Sequence, residues 1–314
     1  MKQKVVIIGA GSVGATFAYA LMISGVAREI VLLDMNRERA EGEVMDLHHG
    51  VAFAKPVSIR TGTYEDCGDA EVVVITAGAK QKPGESRLDL AGRNVRIIAG
   101  MMPLIMNSGF KGVLLITSNP VDVLTQVAWQ ASGLPRERVL GSGTVLDSAR
   151  LRSLLAEHCR VDARNIHAMI IGEHGDSEVA AWSAATIGGV PIKKYCADCG
   201  TCEPENRYPA LLDQVKRAAY EIISRKGATF YAIGLALVQI TAAVLRDEHR
   251  VLPVSSVQAD SYGLQNVALS LPSVVGKNGI ERILELGLDA EELAALRQSA
   301  AVIKNTLASL QPLG

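Results

Sequence analysis

Val5-Val6-Ile7-Ile8-Gly9-Ala10-Gly11-Ser12-Val13-Gly14 is the stretch that decides the fold of this chain. A short β-branched run ends in glycines spaced Gly-x-Gly-x-x-Gly. Residues 13–24 then read as a helix whose Ala, Leu and Met side chains are spaced to pack on a sheet. The glycine pattern alone is weak. Its position, after a strand and before a helix, is the context that gives it meaning. Gly9 permits a tight turn, Gly11 lets a backbone approach a pyrophosphate, and Gly14 lets the helix lie close to the sheet. The helix start at Ser12 and Val13 offers unpaired N–H groups and a positive dipole to phosphate.

Working outward, residues 29–34 form a second strand ending in Asp34. A carboxylate there accepts both ribose hydroxyls and repels a 2′-phosphate, which favours NAD over NADP; Arg37 stands close enough to soften that preference. Further apolar runs at 57–60, 72–76 and 113–117 are continuous rather than alternating, as parallel strands covered on both faces are. Helical segments at 88–107 and 122–132 lie between them. The expectation is an α/β chain: a doubly wound, parallel-sheet dinucleotide-binding domain over residues 1–143, then a mixed α+β domain over 144–314. In the second domain helices are expected at 147–159, 209–225, 228–246 and 289–310. A strand is expected at 167–171. Residues 251–258 and 267–275 read as an antiparallel pair near the surface.

The composition is globular, with 48 % hydrophobic and 21 % charged residues. A formal net charge of −1 leaves no footprint for nucleic acid or an anionic membrane. No apolar run reaches the roughly 18 residues of a membrane span. The N-terminus runs straight into the glycine loop, so a cytoplasmic protein is expected. The cysteines are Cys67, Cys159, Cys196, Cys199 and Cys202, an odd number unlike a disulfide framework. The last three have metal-ligand spacing but no fourth ligand nearby. A surface loop is the preferred reading and no metal is expected.

Two more constellations carry chemistry. Lys80 to Arg87 is a polar loop with Pro83 and Gly84, placed after a strand end where α/β ligands bind. It reads either as a lid or as a solvated charged loop. His174 sits in Gly-Glu-His-Gly-Asp after an apolar run. An acid/base histidine needs a carboxylate to fix its tautomer, and Asp147 is the candidate. Spacing does not show that the two meet. Asp147 and Arg150, three apart, share a helix face, which on its own is compatible with a simple ion pair.

The segments 9–14, 78–87, 117–122, 143–150, 171–178 and 226–229 appear in the order found in L-lactate dehydrogenases. By them the chain resembles the bacterial members of the lactate/malate dehydrogenase superfamily over nearly its whole length. The resemblance implies NAD as cofactor, held by Gly9, Gly11, Ser12, Val13, Gly14, Asp34, Gly78, Asn119 and Ile233. It implies His174 as proton donor to pyruvate and acceptor from lactate, with Asp147 stabilising the imidazolium and Arg87 polarising the ketone. Arg150 would grip the substrate carboxylate, with Asn119, Gln81 and Thr229 completing the substrate pocket. Gln81 stands where malate dehydrogenases carry arginine, so lactate/pyruvate is favoured over malate or a broader 2-hydroxy acid range. The resemblance also implies a homotetramer. Arg152 and His167 match positions that bind fructose 1,6-bisphosphate between subunits. The alternative is that Arg152 pairs with a local carboxylate such as Glu157 and that His167 is a half-buried strand residue.

Overall fold

The computed structural model describes residues 3–79, 87–199 and 204–310. In the first half, strands β1 (Lys4–Ile8), β2 (Glu29–Leu33), β3 (Ser58–Thr61), β4 (Val72–Ile75), β5 (Val113–Ile116) and β6 (Val139–Gly141) alternate with helices. Those helices are α1 (Ser12–Ser24), α2 (Arg37–His49), α3 (Arg87–Asn107) and α4 (Val121–Ser132). Neighbouring strands of this half pair in parallel, β3-β2-β1-β4-β5-β6 across the sheet. The order reverses between β1 and β4. In an open α/β sheet the crevice at that switch point is the ligand site. β1, β4 and β5 are buried along their whole length, as helices on both faces require.

The second half contributes α5 (Val145–Cys159) and five two-residue strands: β7 (Ile166–His167), β8 (Ile170–Ile171), β9 (Val179–Ala180), β10 (Thr186–Ile187) and β11 (Val190–Pro191). Helices α6 (Ile192–Cys199), α7 (Pro204–Lys226) and α8 (Tyr231–Leu245) follow. After them come β12 (Arg250–Val257), β13 (Ala268–Gly276), β14 (Gly279–Ile283) and α9 (Ala290–Leu310). The hairpin of β12 and β13 corrects the sequence expectation. It does not lie near the surface; it extends the main sheet through an antiparallel contact of Ser255 with Gly141, and most of its residues are buried. Polar residues of the hairpin are satisfied internally. Ser255 donates to Asp122, and the Ser270 hydroxyl accepts the Thr144 N–H.

A second correction concerns the cysteines. Residues 192–199 are helical, not a loop, and Cys196 is buried in the cluster of Leu155, Ile170, Ile192 and Leu211. The Cys199 side chain and Cys202 lie outside the described residues. The two halves are not separate cores. Leu237, Ala243 and Val254 belong to the same apolar cluster as Val5, Phe17 and Val74, and α1 packs against α8. Helix α8 therefore closes one side of the crevice that β1 and α1 open. Among the described residues no helix is long and apolar enough to cross a membrane.

Candidate active site

The glycine loop is shaped by what it cannot accommodate. A Cβ on Gly9, whose φ is +115°, would sit 2.6 Å from the Ala77 nitrogen, and one on Gly14 would sit 1.8 Å from the Gly9 carbonyl oxygen. These two glycines press the loop onto the end of β4. A Cβ on Gly11 would meet nothing within 4 Å, so the loop is open at that position. Gly11 enters α1 with no side-chain cap, and no acidic residue occupies the first turn. The first N–H groups of α1, at Ser12, Val13 and Gly14, thus lack a capping side chain, a fit for a pyrophosphate. Asp34 accepts the Ala10 N–H at 2.6 Å and the Asn36 N–H at 2.8 Å. It anchors the loop and keeps lone pairs for ribose hydroxyls. Arg37 points elsewhere, paired with Glu41 along α2. The residues present therefore fit NAD.

The loops after β4 and β5 are tied to each other. Asn94, buried in α3, accepts the Ala79 N–H through Oδ1 and donates through Nδ2 to the Asn119 carbonyl, both at 2.8 Å. The Ser118 hydroxyl donates to the Ala77 carbonyl at 2.5 Å. Gly78 lies between these anchors, with room for a Cβ only at 3.4 Å from Ser118. The Asn119–Pro120 peptide is cis. Ile233 is half-buried at the start of α8, and its neighbour Gly234 lies against Thr16 of α1. Thr229 is half-buried in the turn between α7 and α8.

His174 and Asp147, separated by 27 residues, are brought together by the packing of α5 against β8. His174 Nδ1 lies 2.5 Å from Asp147 Oδ2. The other Asp147 oxygen accepts from Arg150 Nη1 at 2.7 Å. Asp147 is 2 % exposed, Arg150 15 % and His174 26 % at their side chains, so the carboxylate is sealed beneath a histidine that is reachable. The His174 backbone is fixed independently. Its N–H donates to Asp122 Oδ2 at 2.7 Å, and Asp122 Oδ1 accepts the Ser255 hydroxyl at 2.5 Å.

Burial disfavours the imidazolium of His174, but the Asp147 carboxylate beside it more than compensates and pushes the pKa up to about 9. Burial likewise opposes the Asp147 charge. His174 and Arg150 overcome it and hold the carboxyl below its ordinary range. Burial pushes Asp122 up to about 6 despite its two hydrogen bonds. An ionised Asp147 can only accept, so Nδ1 carries a hydrogen and Nε2 is the atom left to exchange a proton.

Not every candidate is reached. Gln81 lies outside the described residues, and Arg87 opens α3 with its side chain outside them. Arg152 donates to the Ser148 carbonyl one turn back. Burial and the nearby Arg250 hold its pKa below the ordinary arginine value. His167 is exposed on β7, not half-buried. Asn94, Asp122 and Glu178 are site residues that the sequence did not single out. Glu178 is 4 % exposed and places a carboxylate oxygen within 4.8 Å of the reactive atoms of His174 and Asp147. Its position two residues beyond the histidine motif was the available signal.

Comparison with known proteins agrees with this geometry. Residues 3–141 match the lactate/malate dehydrogenase NAD binding domain, and residues 144–311 match the alpha/beta C-terminal domain of the same family. An L-lactate dehydrogenase of Thermoanaerobacter sp. (strain X514) is 54 % identical over 309 residues, covering 98 % of this chain and 99 % of the relative. One from Acetivibrio thermocellus is 50 % identical over 98 % of this chain and 97 % of its own length. The crystal structure of a lactate dehydrogenase from a Medee basin deep-sea metagenome library superposes with a TM-score of 0.96 at 47 % identity, covering 99 % of both chains. The ligands-bound minor L-lactate dehydrogenase of Enterococcus mundtii gives 0.96 and 47 % over 98 % of both. With a glycine loop built for NAD at one end of the crevice and a histidine–carboxylate pair at the other, the chain belongs to the lactate/malate dehydrogenase family.

Proposed function

We propose that the chain is an NAD-dependent L-lactate dehydrogenase, interconverting pyruvate and L-lactate. The observation that carries this is the buried Asp147 holding both His174 and Arg150. One carboxylate orients an acid/base and a guanidinium side by side, and a 2-oxo acid needs both. NADH supplies the hydride when bound. His174 Nε2 donates the proton that completes the hydroxyl, and Asp147 stabilises the imidazolium before transfer. Arg150 keeps guanidinium N–H groups beyond the one given to Asp147, and these hold the substrate carboxylate as charge-assisted hydrogen bonds. Arg87 polarises the ketone oxygen, while Asn119 and Thr229 border the substrate. Ile233 supplies an apolar wall against the nicotinamide. Gln81 offers no charge to a second substrate carboxylate, which disfavours oxaloacetate.

The boundary between the NAD-binding and catalytic domains is placed at residues 143–144. A cytoplasmic homotetramer acting at the fermentative end of glycolysis is the setting proposed. Fructose 1,6-bisphosphate is the proposed activator, bound near Arg152 and His167. Support for that site is the closeness of Arg250 to Arg152 and the exposure of His167. The deciding experiment follows NADH absorbance with pyruvate and, in parallel, oxaloacetate. A kcat/KM at least tenfold higher for pyruvate is expected. Equal values, or a preference for oxaloacetate, would move the assignment to malate or to a broader 2-hydroxy acid range.

A further inference from the structure

The acid/base pair has a third titratable neighbour that takes no part in the proton transfer described so far. Glu178 follows the histidine motif and is 4 % exposed, just before β9. Among the described residues its Oε1 is buried with no hydrogen-bond partner. A carboxylate oxygen of Glu178, one of Asp147 and a ring nitrogen of His174 all lie within 4.8 Å of one another. Around Glu178 stand Asp147 and Arg150 from α5, His174 from the preceding loop and Lys216 from α7. Lys216 is engaged with the Asp176 carbonyl at 2.8 Å, and Arg150 with Asp147. Neither is bound to Glu178.

A buried carboxylate beside a second carboxylate, with an oxygen unpaired, is costly in its charged form. Burial first, and the Asp147 charge second, push Glu178 up to about 8. At neutral pH the cluster then holds one carboxylate, one imidazolium and one neutral acid. Ionising Glu178 places a second negative charge beside His174 and makes the imidazolium harder to discharge.

We propose that Glu178 is a positioning residue for the proton exchange: its protonation state sets how tightly His174 holds its proton. Neutral, it leaves the imidazole to Asp147, with the weaker pull of Asp122 behind it, so His174 can both donate and accept. Ionised, it clamps the proton on His174. That opposes lactate oxidation, which needs the neutral imidazole as base, and extends pyruvate reduction to higher pH. The proposal rests on the lactate dehydrogenase reading for its consequence in turnover, but the proton affinity of His174 is measurable without substrate.

The test uses the full-length protein with Glu178→Gln, which keeps the shape but cannot ionise, and Glu178→Ser should the first variant not fold. The His174 imidazole is titrated by NMR in the ligand-free protein, assigned by its loss in His174→Asn. The pH profiles of pyruvate reduction and lactate oxidation are recorded beside it. Removing the ionisable group should lower the His174 midpoint by about one pH unit, a roughly tenfold loss of proton affinity. The alkaline fall of pyruvate reduction should move down by the same interval, and lactate oxidation should reach its plateau earlier. A protonated-carboxyl C=O infrared band, present in the parent near neutral pH, should vanish in the variant. An unchanged or raised midpoint in both variants overturns the proposal even in a fully active enzyme. A parent inactive on pyruvate with a lowered variant midpoint overturns the substrate reading and leaves the proton linkage standing.

Discussion

At the scale of single residues, Asp147 has two jobs that one substitution separates from cofactor binding. It accepts from His174 and from Arg150, and it is sealed from water. In Asp147→Asn the carboxylate is gone while burial of the imidazole remains. Burial then opposes the imidazolium with only the weaker pull of Asp122 and Glu178 against it, and the His174 pKa should fall well below about 9. The sign follows for turnover: near pH 7 the proton donor for pyruvate reduction is depleted, and the guanidinium of Arg150 loses its anchor. Turnover should drop by about 10²–10⁴, while NADH affinity, proposed to rest on Gly9–Gly14 and Asp34, should stay within about twofold. Steady-state kinetics and a fluorescence titration with NADH check both halves; wild-type turnover, or abolished NADH binding, would refute the division of labour. The meeting of His174 with Asp147 was not legible in the sequence, because a separation of 27 positions carries no geometry. What the sequence did offer was chemistry, a histidine between glycines and an Asp-x-x-Arg on one helix face. Asp122 escaped notice because it begins a helix, where an acidic residue is expected for the dipole alone.

At the scale of elements, the parallel strands were readable because burial on both faces leaves an uninterrupted apolar run, as in Val72–Ile75 and Val113–Ile116. The hairpin of β12 and β13 was read correctly as an antiparallel pair, and only its burial was misread, for the converse reason. Ser255, Ser256, Ser270 and Ser273 are polar in sequence yet buried, each with hydroxyls turned to partners inside the fold. The partners of Ser255 and Ser270, Asp122 and the Thr144 N–H, are brought to them only by the assembled fold. The same holds for Asn94, a polar residue on an otherwise ordinary helix that ties two loops through one amide. Asn94→Ala leaves the Ala79 N–H and the Asn119 carbonyl without that partner, a cost of about 1–3 kcal/mol each where water cannot replace it. The loops bordering the nicotinamide should loosen. NADH Kd is expected to rise about tenfold and Tm to fall by several degrees. Calorimetry and fluorescence titration test this, and an unchanged Kd would mean the loops are held without Asn94.

At the scale of the whole molecule, apolar side chains remain on the outside. Tyr19 and Ile23 on α1, and Tyr231 and Leu235 on α8, are about half or more exposed, and these two helices pack on each other. Exposed apolar side chains on two helices that pack together suit the proposed assembly with further copies. Arg152 and Arg250 lie close enough to repel, with Glu248 paired to Arg250 at 3.6 Å and no carboxylate paired to Arg152 among the described residues. His167, exposed on β7, adds an imidazole to the same half of the chain. A sugar bisphosphate that neutralises these charges stabilises whichever assembly gathers them, and by linkage the assembled form binds it more tightly. Light scattering at micromolar concentration should therefore report a tetramer or a dimer–tetramer mixture. Fructose 1,6-bisphosphate should shift the mixture to tetramer and lower the apparent KM for pyruvate severalfold. Arg152→Gln relieves the repulsion and, in the same step, deprives the anion of a guanidinium. The variant should therefore assemble without the bisphosphate and respond to it weakly or not at all. Equal activation of parent and variant would place the effector elsewhere, and a monomer with full activity would remove the need for an assembled active form.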